Sequence, residues 1–352
     1  MDILALVNEH LGRYPDMEPQ DIIKLIYQNE FGGGHMIDSF ENSFQRLRDE
    51  CDSLDEKSSF LSTEKIGDNL IRVNLTKLNE FQLKALNQIF VVSSKQKSGN
   101  LTAFIEKLSL VKQAMEIKEI DYDSQLFTQE LTAYEKLNFP PISHSNQYRQ
   151  LYQPHYRVVD WRYFNYFDLI VKINQLITTN EHLIIAIDGK CGAGKSFLGN
   201  LLQTIFSANL FKMDDFFLRP FQRTEERLSK PGGNVDYERF KEVVVDPLLK
   251  KETVYYQRFD CSKMALDELI TPIECNKINI IEGTYSLHPY FGKYYDFSIG
   301  LNITDDLQQQ RILKRNGMMM LERFKNIWIP LENKYFDAYQ IFKQVDYLIQ
   351  AE

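Results

Sequence analysis

The fold of the larger part of this chain is indicated by residues 183–196, which read LIIAIDGKCGAGKS. The stretch opens with a continuous apolar run, which is typical of a strand buried on both faces of a parallel sheet. Residues 189–196 then fit the pattern G-x-x-x-x-G-K-[ST] in full. A helical stretch, residues 197–202, follows directly. The order of strand, glycine-rich loop and helix predicts a phosphate-binding loop.

The residue types in this loop predict its chemistry. Glycines let backbone N–H groups turn toward phosphate oxygens, and the following helix adds the positive end of its dipole. We expect Lys195 to bridge the β- and γ-phosphates of a nucleotide and the Ser196 hydroxyl to ligate Mg²⁺. The predicted cofactors are therefore ATP and Mg²⁺, although the sequence leaves the choice between ATP and GTP open. The predicted nucleotide-binding residues are Gly189, Lys190, Cys191, Gly192, Ala193, Gly194, Lys195 and Ser196.

Two kinds of sequence pattern surround the loop. On its C-terminal side, short apolar runs at 209–213, 278–281, 297–303 and 347–349 alternate with helical stretches. This alternation predicts a parallel sheet covered by helices. Residues 1 to about 135 show mainly amphipathic helical periodicity. We therefore predict an α/β protein with a mostly helical domain of unknown role at 1–158 and a nucleotide-binding domain at 159–352.

Composition narrows the class of protein. The chain has 352 residues and a net charge of −8, which argues against a general nucleic-acid binder. Its four cysteines form no C-x-x-C pair, which argues against a zinc site or a disulfide framework and favours a reducing compartment. No apolar run approaches the roughly 18 residues of a membrane span. We expect a cytoplasmic protein without membrane or nucleic-acid partners; whether it forms a homo-oligomer is left open.

Acidic residues follow two of the predicted strands. Asp214 and Asp215 come after the second strand, and Glu282 ends a later one beside Gly283. A carboxylate at that edge of a sheet can take a proton from an attacking hydroxyl or hold Mg²⁺. The alternatives are a helix cap followed by core aromatic residues for the aspartates, and a solvent-exposed strand end for Glu282.

Two arginines near the C-terminus lie on one helix face. Arg311 and Arg315 are four residues apart, and the helix that carries them is predicted to end at Gly317. Such a pair can close over a transferring phosphoryl group as a lid. The alternative is that these late cations only complement the helix dipole.

Together with Asn234-Val235-Asp236, these motifs occur in an order that resembles the uridine kinase and phosphoribulokinase branch of the P-loop kinases. The resemblance covers residues from about 180 to 350. It implies a P-loop kinase fold and transfer of the γ-phosphate of ATP to a hydroxyl group of a small molecule, first of all a nucleoside. It further implies that Asp236 hydrogen-bonds substrate hydroxyls.

The resemblance also implies individual roles in catalysis. Asp214 would be the catalytic base and contact Mg²⁺, and Ser196 and Glu282 would complete the metal shell. Arg311 and Arg315 would be the lid arginines and, with Lys195 and Asp214, complete the catalytic set.

The acceptor site departs from the uridine kinase pattern. In the stretch 256–263, Phe259 occupies the position of a tyrosine and the histidine of those kinases is missing. We still expect Asp215 and Arg258 to contact the substrate. The basic segment 223–233 is either a solvated loop or a site for a second anionic group of the acceptor.

Three alternatives stay open at the level of sequence. The enzyme could phosphorylate another small alcohol, such as a sugar or a vitamin. The chain could instead be an ATP-binding regulatory protein whose first domain engages a partner. Separate chemistry around His35, His144 and Arg149 in the first domain is the third alternative.

Overall fold

The structure is a computed structural model that describes residues 2–34, 37–54, 61–96 and 99–351. It divides into two compact units, Met1–Gln175 and Leu176–Glu352. The division lies later in the chain than the predicted boundary at residue 158. Strand Tyr156–Asp160 pairs with Leu70–Asn74 inside the first unit, so the chain remains part of that unit beyond residue 158.

The first unit is mostly helical, as predicted, but it also contains a small antiparallel sheet that the sequence analysis did not predict. Its helices are α1 (Ile3–Arg13), α2 (Pro19–Phe31), α3 (Phe40–Asp52), α4 (Glu80–Gln96), α5 (Leu101–Glu116), α6 (Ser124–Glu135), α7 (Asn146–Tyr152), α8 (Trp161–Phe164) and α9 (Phe167–Thr179), the last of which spans the division. Its strands are β1 (Thr63–Lys65), β2 (Leu70–Asn74) and β3 (Tyr156–Asp160), which pair in that order.

Side-chain caps set the starts of several of these helices. Asn100, Asp123 and Ser145 accept hydrogen bonds from N–H groups in the first turns of α5, α6 and α7, respectively. In α2, Glu18 is the residue before the helix, and it forms a capping box with Asp21 in the first turn. These local signals agree with the helical periodicity that residues 1 to about 135 show in the sequence.

The second unit is an α/β domain built on five parallel strands, which confirms the predicted fold class. The sheet strands are β4 (Leu183–Gly189), β5 (Asn209–Lys212), β8 (Ile278–Glu282), β9 (Phe297–Asn302) and β10 (Tyr347–Gln350), in the spatial order β10-β9-β4-β8-β5. A separate hairpin of β6 (Val254–Asp260) and β7 (Ala265–Ile273) was not predicted. The helices are α10 (Lys195–Phe206), α11 (Glu225–Ser229), α12 (Tyr237–Phe240), α13 (Asp246–Lys250), α14 (Asp305–Asn316), α15 (Met318–Arg323) and α16 (Ile329–Tyr339).

The sheet positions the site because its central strand is β4. Every residue of β4 is buried, and the strand pairs in parallel with both β8 and β9. Parallel pairing brings the carboxyl ends of β4, β8 and β5 to one edge, where ligands bind in open α/β sheets. Within the described ranges, no helix has the length and apolar character needed to cross a membrane.

Candidate functional site

The phosphate loop connects β4 to α10. Gly194 precedes α10 with φ of +106°, a conformation that a side chain would strain, and no side chain caps the helix. The helix dipole adds positive potential at this end of α10. At the other end of the loop, a Cβ atom on Gly189 would lie 2.2 Å from the Leu301 carbonyl oxygen. The loop thus has the close packing and the positive helix terminus of an anion site.

The two polar side chains that open α10 face this loop and its neighbouring strand. Lys195 is largely buried, and its Nζ donates to the Lys190 carbonyl oxygen at 3.0 Å. The Ser196 hydroxyl donates to Glu282 Oε1 at 3.1 Å. One ammonium, one hydroxyl and one carboxylate therefore meet at the mouth of the loop.

Glu282 ends β8 and lies opposite Ile187 of β4 in the sheet. Its side chain is buried, and burial raises the pKa of its carboxyl group, while the positive charge of Lys195 opposes that rise. The negative charge of Asp214 raises the pKa of Glu282 further, which requires that the two carboxylates lie close enough to interact. The structure therefore brings Ser196, Glu282 and Asp214 to one edge of the sheet.

Asp214 lies in a short 3-10 turn, Met213–Asp215, that follows β5. Its side chain is exposed, whereas Met213, the first residue of the turn, and Phe216, which follows the turn, are buried in the core. Because these two buried side chains fix the turn, the exposed carboxylate of Asp214 is held in place at the edge of the sheet. This is the arrangement that a group reacting with a bound molecule needs.

Oxygen donors at this edge fit Mg²⁺. The ion usually takes one or two carboxylates together with phosphate oxygens and water, and a hydroxyl and two carboxylates are present in Ser196, Glu282 and Asp214. Among the residues that the structure describes, no group of three or more His, Cys, Asp or Glu side chains could hold a metal ion.

Asp215 is hydrogen-bonded to the hairpin, and its predicted contact with a substrate stays a prediction. Its Oδ2 accepts from the Tyr256 hydroxyl at 2.8 Å and pairs with Arg258 Nε at 3.2 Å. Its carbonyl oxygen accepts from Arg239 at 3.0 Å. Asp215 and Arg258 are therefore brought together, but as partners of each other, and this pairing fixes the turn that carries Asp214.

Asp236 is buried beside the same turn. Its backbone N–H donates to the Phe216 carbonyl oxygen at 2.8 Å, and its carboxylate caps α12 and accepts from Gln222 Nε2 at 3.0 Å. Asp236 also lines a cavity of about 580 Å³ together with Arg219 and Arg239. The acid is thus held in place by protein donors at the wall of a cavity large enough for a small molecule.

The basic segment 223–233 borders this cavity, but two of its cations are already paired. Arg227 forms two hydrogen bonds with Glu238, and Lys230 pairs with Glu226. Their charges are therefore balanced within the protein, which weakens the expectation that this segment binds a second anion.

The two predicted lid arginines differ in their surroundings. Arg311 NH1 donates to the Gly192 carbonyl oxygen at 3.2 Å, so it contacts the phosphate loop directly. Arg315 lies one turn later, is exposed, and donates from Nε to Asn316 Oδ1 at 2.7 Å. The structure brings only Arg311 of the pair into hydrogen-bond contact with the loop.

Two buried carboxylates at the loop were not predicted. Asp188, at the end of β4, accepts from Gly189 N–H at 2.7 Å and from the Tyr335 hydroxyl at 2.8 Å. Glu332, on α16, accepts from Cys191 N–H at 2.8 Å. An acid inside an apolar strand was a local signal for Asp188, whereas nothing in the sequence around Glu332 indicates a contact with a loop so distant in the chain.

In the first unit, the predicted histidine site is internally paired. His144 Nδ1 lies 2.8 Å from Asp21 Oδ1, and Nε2 lies 2.6 Å from the Tyr156 hydroxyl. Burial lowers the pKa of His144 to about 4, so the ring is neutral near pH 7. Arg149 is exposed on α7, and His35 lies outside the described residues. Separate chemistry in this unit stays a prediction.

Comparisons with known proteins give distant similarity, which in each of the following structures covers about half of the chain. No family model matches, and no curated protein matches. A structure described as a possible uridine kinase from Bacillus stearothermophilus has 18% identity and a TM-score of 0.38, with 52% of this chain and 99% of that chain covered.

Two further structures are similar at a still lower level. A shikimate kinase from Acinetobacter baumannii has 15% identity and a TM-score of 0.26, covering 50% of this chain and 87% of its own. A deoxyadenosine kinase from M. mycoides has 16% identity and a TM-score of 0.23, with 48% of this chain and 90% of that chain covered. These values are too low to carry an argument about function.

Proposed function

We propose that the second unit is a phosphotransferase that uses ATP and Mg²⁺ to phosphorylate a hydroxyl group of a small molecule. One observation carries the proposal: the phosphate loop, Glu282 and Asp214 lie at the carboxyl ends of the neighbouring strands β4, β8 and β5. A phosphate site next to an exposed carboxylate allows a phosphoryl group and a hydroxyl acceptor to meet.

The proposed reaction assigns each bond change to a group. The acceptor hydroxyl gives its proton to the Asp214 carboxylate, and its oxygen forms a bond to the γ-phosphorus of ATP. The bond between that phosphorus and the bridging oxygen breaks, and its electron pair leaves with ADP. Lys195, the loop N–H groups and Arg311 stabilise the charge that spreads over the phosphate oxygens.

Mg²⁺ would be held by Ser196, Glu282 and Asp214, and when bound it neutralises charge on the phosphate oxygens. The Ser196 hydroxyl is oriented by its hydrogen bond to Glu282. Burial of Glu282 keeps water from competing for that hydrogen bond.

A nucleoside is the first acceptor to test, because the order of the motifs resembles that in uridine kinases. The hairpin supplies Phe259, which is buried against Phe217 with ring centroids 6.5 Å apart. This contact offers no hydrogen bond to a pyrimidine base, so a sugar or a vitamin alcohol is the second candidate. We place the reaction in the cytoplasm, since all four cysteines are free thiols.

The test is a panel of nucleosides, sugars and vitamin alcohols scored for ADP release with ATP and Mg²⁺. Lys195→Ala serves as the blank, because it removes the ammonium at the loop. Asp214→Asn is expected to keep ATP binding and lose about 10²- to 10⁴-fold in turnover. Normal turnover by Asp214→Asn would contradict the assignment of the base. Binding of ATP by the wild type without phosphorylation of any compound would favour the regulatory alternative.

A further inference from the structure

Glu332 lies on α16, far along the chain from the phosphate loop, yet it contacts that loop. The side chain is 7% exposed, and Oε2 accepts from the Cys191 N–H at 2.8 Å. The Thr284 hydroxyl lies 3.4 Å from Glu332 Oε1 and 3.0 Å from the Gly189 carbonyl oxygen. A buried carboxylate therefore binds the backbone of the loop at a point where the loop would receive phosphate groups.

The Cys191 peptide is held from its other side as well. Its carbonyl oxygen accepts from Gln308 Nε2 at 2.9 Å, and Gln308 is buried on α14. One helix thus holds the N–H of Cys191 and another helix holds its C=O. Because both groups are bonded, the loop backbone cannot turn at Cys191 without the loss of two partly buried hydrogen bonds. The directions of the N–H groups that follow, beginning with Gly192, are set by this arrangement, which we call the Cys191 clasp.

The charge of Glu332 also matters at this place. Burial raises the pKa of Glu332, the negative charge of Asp214 raises it further, and Lys195 together with the Cys191 N–H opposes the rise. The Tyr285 hydroxyl and the Cys191 thiol also face the group. A bound triphosphate brings several negative charges to the same ammonium of Lys195, so the ionised form of Glu332 becomes less favourable on binding.

We propose that Glu332 is a positioning residue of the nucleotide site, which holds the phosphate loop in its binding shape through the Cys191 clasp and takes up a proton when nucleotide binds. This inference rests on the proposed function, because it assumes that the loop receives a nucleotide. It adds a dependence of nucleotide affinity on two helices outside the loop motif, α14 and α16.

The experiment is isothermal titration calorimetry of the full chain with Mg²⁺ and the non-hydrolysable ATP analogue AMP-PNP. Each variant is measured in two buffers of different ionisation enthalpy, which gives the number of protons taken up. Asp337→Asn is the matched control, because Asp337 is an exposed carboxylate on the same helix. Lys195→Ala is the blank for binding at the loop.

The variants separate the two parts of the proposal. Glu332→Gln keeps an oxygen that accepts from Cys191 N–H, so its affinity is expected to stay near that of the wild type while its proton uptake falls. Glu332→Ala loses the acceptor, and its affinity is expected to fall about tenfold. In assays of turnover, the KM for ATP rises by a similar factor while kcat changes less. Gln308→Ala breaks the clasp from the other side, so it weakens binding without a change in proton uptake.

Two results would overturn the inference while the proposed function stands: wild-type affinity in both Glu332→Ala and Gln308→Ala, or proton uptake in Glu332→Gln equal to that of the wild type. If Glu332→Ala does not fold, as judged by circular dichroism, the inference is tested by the affinity of Gln308→Ala and by the number of protons that Glu332→Gln takes up. If the wild type itself binds no more tightly than Lys195→Ala, the proposed function fails and this inference fails with it.

Discussion

Replacement of Asp188 with alanine is expected to destabilise the second unit strongly. The fully buried carboxylate accepts hydrogen bonds from the N–H groups of Gly189 at 2.7 Å, Tyr285 at 3.1 Å and Leu287 at 2.9 Å, and from the Tyr335 hydroxyl at 2.8 Å. Alanine removes the acceptor of all these donors at once. The phosphate loop, the segment after β8 and α16 would lose their common attachment point.

The magnitude follows from the number of donors left without a partner. A buried donor without an acceptor costs about 1 to 3 kcal/mol. Water can enter the space that the carboxylate leaves, so the lower end applies to each donor, and the sum is about 4 kcal/mol. This is a large part of the roughly 5 to 15 kcal/mol by which a domain is normally stable.

The assay is urea unfolding followed by tryptophan fluorescence. The chain has two tryptophans, so a Trp161→Phe background leaves Trp328 as the reporter of the second unit. With a slope of about 2 kcal/mol per molar urea, Asp188→Ala lowers the midpoint by about 2 M. Tyr335→Phe removes one donor alone and is expected to cost about 1.5 kcal/mol. If Asp188→Ala shifted the midpoint no further than Tyr335→Phe, the reasoning from several unsatisfied donors would be refuted.

Three further changes test other parts of the structure. Arg311→Ala is expected to lower kcat about a hundredfold, because Arg311 donates a hydrogen bond to the loop. Arg315→Ala is expected to lower kcat clearly less, because Arg315 donates to Asn316. Equal losses of kcat in steady-state assays would show that both arginines act on the phosphoryl group. Ser196→Ala and Glu282→Gln should each raise the Mg²⁺ concentration for half-maximal activity about tenfold, because each removes an oxygen ligand; unchanged Mg²⁺ titrations would contradict the metal assignment. The pKa of His144 falls from 6.5 to about 4 on folding, so the first unit should lose about 3 kcal/mol as the pH falls from 6.5 to 4. Urea unfolding followed through Trp161 at the two pH values, in a Trp328→Phe background, checks this, and His144→Phe should remove most of the dependence.

The sequence predicted the sheet of the second unit because each strand carries its own local signal. The five apolar runs all appear as strands within a residue or two of their predicted bounds. The strands β4, β8 and β9 are buried along almost their whole length, so a run of mainly apolar residues identifies each of them. The β6–β7 hairpin lacks such a run, since most of β7 is exposed, and it was missed.

The sheet of the first unit was missed for a different physical reason. Its middle strand β2 contains Arg72, which is 2% exposed and hydrogen-bonded to Glu64 and Gln28. A charged residue in a short apolar stretch argues against a buried strand unless a partner is present. Glu64 lies on the adjoining β1, but Gln28 comes from α2, so the complete pairing is evident only in the folded unit.

The residues of the candidate site are of two kinds: some are adjacent in the sequence, and others come from distant positions in the chain. The residues of the phosphate loop follow one another in the chain, so their pattern is complete in the sequence. The residues that hold the loop in place come from distant parts of the chain. The hydrogen bond between Tyr335 and Asp188 joins residues 147 positions apart, and the one between Cys191 and Glu332 joins residues 141 positions apart. No spacing rule connects positions at such separations, because the intervening chain can take any path that the fold allows.

This division has a physical consequence for how the loop acquires its shape. A glycine-rich segment loses more conformational freedom on folding than any other, so its own sequence opposes one fixed conformation. The contacts that hold the loop in one conformation come from Asp188 at the end of β4, from Gln308 and Arg311 on α14, and from Glu332 on α16. A motif can therefore specify which groups face a phosphate, while the strength with which they bind it depends on these helices. Substitutions of Gln308 on α14 and Glu332 on α16, which contact the loop backbone at Cys191, should for this reason alter nucleotide affinity before they alter the chemistry of transfer.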